Sequence, residues 1–180
     1  MIDACAAPRR DTGETWISGR IRASYVALHQ IGFAHSLECW CGGELAGGLY
    51  GVGFDRVFCG ESMFSRETDA SKVALAWLVA ALRRAGTSLL DCQFITPHLA
   101  TLGAVEVSQK RYLDLLRAAQ SSTEGEGAAL GSAVGVAEGL GDGDAVALPE
   151  GFAALLGDAA AAGRASSPGN FIAQSLTQTS

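Results

Sequence analysis

The chain has 180 residues, 48% apolar and 18% charged; that length holds one domain with a real core, and no apolar run reaches the roughly 18 residues of a membrane-spanning helix. The formal charge of −6 is uneven, because residues 1–120 carry 12 acidic and 12 basic side chains while residues 121–180 carry seven acidic ones and a single Arg164. A neutral body neither demands nor excludes a polyanionic partner, which local clusters would have to bind. The five cysteines form no even framework and point to a reducing compartment. Met1–Cys5 lacks the basic-then-apolar layout of a signal peptide, so the expected location is the cytoplasm.

Residues 1–15 read as a polar, turn-rich opening in which Arg9 and Arg10 either touch phosphate or sit solvated at the surface. Trp16 follows, as a core plug or a pocket wall. Ser18 can cap a helix whose face carries Ile21, Tyr25, Leu28 and His29, with Gly32 as its stop. Phe33–Trp40 alternates as a strand, Cys41 to Glu44 is a hairpin turn, and Leu45–Gly51 is the return strand. The glycines of that return strand imply close approach by a neighbouring backbone or a ligand. His35, Cys39 and Cys41 match no closed four-ligand zinc pattern, so no metal and no cofactor are expected.

Residues 56–59 predict a third strand, and Leu75, Leu78, Val79 and Leu82 predict one apolar helix face from Asp69 onward. Thr68 or Asp69 can cap that helix, and Gly86 ends it. Between strand and helix, Gly60-Glu61-Ser62-Met63-Phe64-Ser65 reads as a loop at a strand end, a place suited to ligands as well as to plain connection. Ser88–Ile95 predicts a buried strand with Asp91 and Gln93 on one face. A carboxylate there must be paired or functional. His98–Ala104 is a helical turn, Val105–Val107 is strand-like, and Lys110–Ala119 is an amphipathic helix with Tyr112, Leu115 and Leu116 inward.

The expected organisation is a domain over 1–120, a Gly/Ala/Ser-rich flexible and dispensable linker over 121–168 with a short helix at 149–162, and a segment 169–180 that docks back. The fold class is α/β (α+β).

Several stretches resemble the leucyl/phenylalanyl-tRNA–protein transferases. They are Cys5-Ala6 with Pro8-Arg9, Thr15-Trp16-Ile17, Leu28-His29 with Gly32, Ala34-His35-Ser36 with Glu38 and Trp40, and Gly47 to Gly51. Further on come Gly60 to Ser65, Ala70-Ser71-Lys72 with Ala74-Leu75, Asp91 with Gln93, and His98-Leu99 with Leu102-Gly103-Ala104. They occur in family order across residues 4–117.

The resemblance implies transfer of Leu or Phe, and sometimes Met, from aminoacyl-tRNA to the N-terminal Arg or Lys of acceptor proteins, which marks them for the N-end rule. It implies a mixed sheet with flanking helices like that of the GCN5-related acyltransferases, and a cytoplasmic monomer without cofactor. By family position, Asp91 draws the amine proton through Gln93, Glu61 orients the amine or the 3′ adenosine, and Trp16 faces the adenosine or the acceptor. Ser62, Met63, Phe64 and Ser65 complete the substrate-binding set. Family members carry a further N-terminal β region with basic residues for tRNA, which does not precede Met1 in this sequence, so weak tRNA binding is expected. Two alternatives are a CoA-dependent N-acetyltransferase, disfavoured because residues 64–71 hold no glycine-rich pyrophosphate cradle, and a remnant that keeps the fold without the reaction.

Overall fold

The computed structural model describes residues 1–8, 15–121, 136–138 and 148–161. The elements run α1 (Ile2–Cys5), α2 (Gly19–Gln30), β1 (Ala34–Cys41), β2 (Glu44–Phe54), β3 (Val57–Ser65), α3 (Ala70–Arg84), β4 (Leu89–Asp91), α4 (Pro97–Thr101), α5 (Gln109–Gln120), β5 (Val136–Glu138) and α6 (Leu148–Ala161). The strands are ordered β1-β2-β3-β4-β5. β1 and β2 pair antiparallel, β3 and β4 parallel, and β4 and β5 antiparallel. This is the mixed sheet with flanking helices that the sequence predicts. The parallel step is possible because α3 carries the chain back between β3 and β4.

The chain divides into two compact units, one of residues 1–54 and 60–75, the other of residues 55–59 and 76–180. In the first, the Ser18 hydroxyl caps α2 by accepting the Ile21 N–H at 3.3 Å. Gly42 and Gly43 both take positive φ, 57° and 85°, as a two-residue hairpin turn matched to strand twist requires. Buried Cys5, Ile17 and Tyr50 form an apolar cluster against which Ile21, Tyr25 and Phe64 pack. The Tyr25 and Tyr50 rings meet edge to face at 5.1 Å. The helix α1 lies in the opening that the sequence reads only as turns.

The first correction concerns Gly60–Ser65. It is no loop: β3 runs through it to Ser65. The Arg66 and Glu67 N–H groups then both donate to the Ala46 carbonyl, at 2.7 and 3.1 Å, and fasten the strand end to β2. Asp69 stands immediately before α3 at φ 63°, its carbonyl accepts the Val73 N–H at 3.0 Å, and its carboxylate pairs with Lys72 at 2.6 Å. The Ser65 hydroxyl accepts the Ser71 N–H at 3.2 Å and donates to the Glu67 carbonyl at 2.8 Å. Ser65 therefore ties down the α3 N-terminus from the strand end. Ser65→Ala is expected to cost about 1 kcal/mol, read as a lower urea midpoint at unchanged slope.

In the second unit Phe58, Leu78, Leu82 and Leu89 are the largest fully buried side chains; of the predicted α3 face Leu78 and Leu82 are buried while Leu75 and Val79 are half-buried, and the buried stripe runs through Ala74, Leu78, Ala81, Leu82 and Ala85. Gly86, at φ 70°, ends α3, with the Thr87 N–H reaching back to the Leu82 carbonyl at 2.9 Å. Buried Ala80, Ala81 and Leu155 join Trp77, Leu148 and Phe152 in a second cluster. α6, Leu148–Ala161, lies where the short helix is expected at 149–162. β5 lies inside the stretch expected to be a linker. Val105–Val107 contains an isolated bridge and no strand. Arg9, Arg10, most of the linker and the segment 169–180 lie outside the described residues.

Candidate functional site

β4 is three residues long, and the reason is the side chain that ends it. Asp91 is only 6% exposed. Its Oδ1 accepts the Gln93 N–H at 2.7 Å. This Asx-type bond turns the chain two residues on, and Gln93 takes the left-handed conformation at φ 62°. The premise that Asp91 and Gln93 share one face of a strand therefore fails. The two are brought together by a turn after the strand. A non-glycine residue in this region is uncommon and needs local support, which the carboxylate gives.

The second carboxylate oxygen is also engaged. Tyr112, on α5 and 6% exposed, donates its hydroxyl to Asp91 Oδ2 at 2.9 Å. Burial raises the Tyr112 phenol well above its ordinary value, and the Asp91 charge adds to the shift. It stays a donor at every working pH. Burial, with the same charge behind it, pushes the Cys92 thiol up to about 11. Asp91 is thus a buried carboxylate with one donor on each oxygen. The sequence reads Tyr112 only as an inward apolar position. The signal was available, because a buried carboxylate and a buried phenol each need a partner.

The remaining predicted residues lie in the first unit. Glu61, Ser62, Met63 and Phe64 are half-buried and Ser65 is exposed. In an extended strand successive side chains face opposite ways, so Glu61 and Met63 share one face while Ser62 and Phe64 take the other. Phe64 packs on the Cys5–Ile17–Tyr50 cluster, and the Arg66 guanidinium lies 5.4 Å from its ring centroid. Trp16 is 52% exposed and precedes buried Ile17.

Tyr50 is a further residue that the sequence reading passed over. It is 4% exposed, and among the described residues its hydroxyl finds no hydrogen-bond partner. Burial raises its phenol well above the ordinary value, with smaller contributions from Cys5 and Glu61. It borders a cavity of about 230 Å³ whose wall includes Tyr25, His29, His35 and Glu38. Burial, with His29 nearby, holds the His35 imidazole below its usual value. Among the described residues no group of three or more His, Cys, Asp or Glu is placed to hold a metal ion, and no helix is long and apolar enough to cross a membrane.

Residues 1–117 match the profile of the leucyl/phenylalanyl-tRNA protein transferase family. The chain belongs to that family. A transferase of this name from Novosphingobium aromaticivorans is 62% identical, over all of this chain and 72% of its own length. One from Zymomonas mobilis is 57% identical over 68% of this chain and 46% of its own length. One from Rhizorhabdus wittichii is 56% identical over 73% of this chain and 53% of its own length. The chain thus spans about half the length of the latter two transferases. The family match covers both units, from Cys5 and the Trp16 segment to Asp91 and Tyr112.

Proposed function

We propose that this chain transfers leucine or phenylalanine from aminoacyl-tRNA to the N-terminal arginine or lysine of acceptor proteins, in the cytoplasm, as a step that marks them for degradation. The observation that carries the reading is the family match over residues 1–117. The reaction is aminolysis of an ester. The acceptor amine attacks the aminoacyl carbonyl, the bond to the ribose 3′ oxygen breaks, the amine loses a proton and the leaving oxygen gains one. The ester is already activated, so the protein's tasks are placement and charge stabilisation.

Each side chain has a role suited to its place. Asp91 is too buried, and too fully engaged, to meet the amine directly. Its negative charge favours the positive charge that grows on the attacking nitrogen, and Gln93 is the group that would accept a hydrogen bond from that amine. Glu61 orients the amine or the 3′ adenosine. Met63, on the same strand face, offers flexible apolar surface to leucine and phenylalanine alike. Phe64 backs this strand from the apolar cluster, and exposed Trp16 offers a stacking face to the adenine. Ser65, on the same face as Glu61 and Met63, borders the substrate path and also serves α3, while Ser62, on the Phe64 face, acts on the substrate only through the strand.

The test is direct. The chain is incubated with leucyl-tRNA carrying labelled leucine and with a peptide starting in arginine. Label in the peptide, and none in a peptide starting in glutamate, supports the reading. No label from this chain, under conditions in which the Novosphingobium relative transfers, overturns it.

A further inference from the structure

We propose that Tyr112 is a positioning residue for the transfer site, holding the Asp91 carboxylate so that Asp91 in turn keeps Gln93 in its left-handed turn. The inference rests on the transferase reading for its kinetic consequence and on geometry alone for its structural one. Three residues form one chain of hydrogen bonds. Tyr112 Oη donates to Asp91 Oδ2 at 2.9 Å, and the Gln93 backbone N–H donates to Asp91 Oδ1 at 2.7 Å. Tyr112 and Asp91 are each 6% exposed, so water cannot readily replace either partner.

The need for such a lock comes from Gln93. At φ 62° a side-chain-bearing residue is held in a sparsely populated region, at a cost of about 1–3 kcal/mol. One hydrogen bond from a carboxylate free to rotate would hold it poorly. Tyr112 removes that freedom, because a donor fixed on Oδ2 leaves Oδ1 pointing at the Gln93 N–H. The anchor is rigid: the Ser108 hydroxyl caps α5 through the Arg111 N–H at 3.3 Å, and Leu116 and Ala119 bury the same face of the helix as Tyr112. A phenylalanine at this position would fill the space equally well. The hydroxyl therefore has a role that packing does not explain.

The titratable groups that meet Asp91 are Tyr112 from α5, Cys92 next in the chain, and Cys59, whose Cα pairs with that of Asp91 across β3 and β4. Tyr112 and Cys92 are both held neutral through the working range by burial.

The experiment uses Tyr112→Phe in the full chain, with Asp91→Asn beside it. Expected for Tyr112→Phe are a tenfold or greater fall in kcat with KM for the tRNA changed less than twofold, and an upfield shift of the Gln93 amide proton with faster hydrogen exchange. Asp91→Asn should move the same amide. A Gln93 amide unchanged in Tyr112→Phe overturns the proposal. So does a kcat within twofold of the parent in a folded, active sample. Should the unaltered chain transfer nothing, the transferase reading fails by itself, and the amide measurement still decides the lock.

Discussion

Asp91→Ala is expected to lower single-turnover transfer at neutral pH by about a hundredfold or more, the range for losing a proton-handling or charge-stabilising group. That equals about 2.7 kcal/mol of barrier. The same change leaves the Tyr112 hydroxyl and the Gln93 N–H without their acceptor in a buried setting. An orphaned buried donor costs about 1–3 kcal/mol, so the alanine variant should also melt at a lower temperature. The two effects separate by comparison. A loss of transfer caused by unfolding would vanish on cooling to where the circular dichroism of variant and parent coincide. A loss caused by the missing carboxylate would persist there. Transfer within twofold of the parent, in a folded sample, would remove Asp91 from the mechanism. Asp91→Asn keeps one acceptor oxygen, and its stability should fall between the two.

The sequence made some of this legible and hid the rest for identifiable reasons. The inward Leu78 and Leu82 of α3 and the cap at Ser18 follow from periodicity and from one hydroxyl at the right offset, both local signals, whereas the small Ala74, Ala81 and Ala85 that complete the buried stripe carry too weak a signal to centre the face. The hairpin at Gly42-Gly43 follows from two adjacent glycines. Local pattern ends β3 at Cys59, because Gly60-Glu61-Ser62 has the composition of a loop. The strand continues because the Arg66 and Glu67 N–H groups find the Ala46 carbonyl, a partner about twenty positions away that no local pattern shows. β4 erred the other way. Asp91 reads as an apolar strand's odd carboxylate, yet by capturing the Gln93 N–H it ends the strand. The candidate site residues lie in the family motifs, which do not include Tyr112. Its partner comes from another element, so pairing it needed the fold.

Gly48→Ala is expected to destabilise the fold by about 3 kcal/mol, the upper part of the range for forcing an extra carbon into a packed site. The reason is backbone crowding. Gly48 stands in β2 directly opposite Glu38 of β1. A Cβ added there would collide with the Leu37 carbonyl oxygen and come within 3.3 Å of the Glu38 Cα. The Met1 side-chain tip, at 2.9 Å, can swing aside. The two backbone atoms cannot move without breaking the β1–β2 ladder. The close approach read from the glycines of this strand is thus made by the chain's own neighbouring strand. Gly47 is confined in the same way, with the Ala70 Cβ at 2.6 Å and the Phe64 carbonyl oxygen at 3.1 Å from the added carbon. The control is Gly19→Ala in the first turn of α2, where nothing lies within 4 Å of an added Cβ and where alanine favours the helix. By calorimetry Gly48→Ala should melt about 6–12 °C below the parent, while Gly19→Ala should match or exceed it. A Gly48→Ala melting point within about 2 °C of the parent would show that β1 and β2 can separate locally without cost, and backbone crowding would not be what keeps glycine at this position.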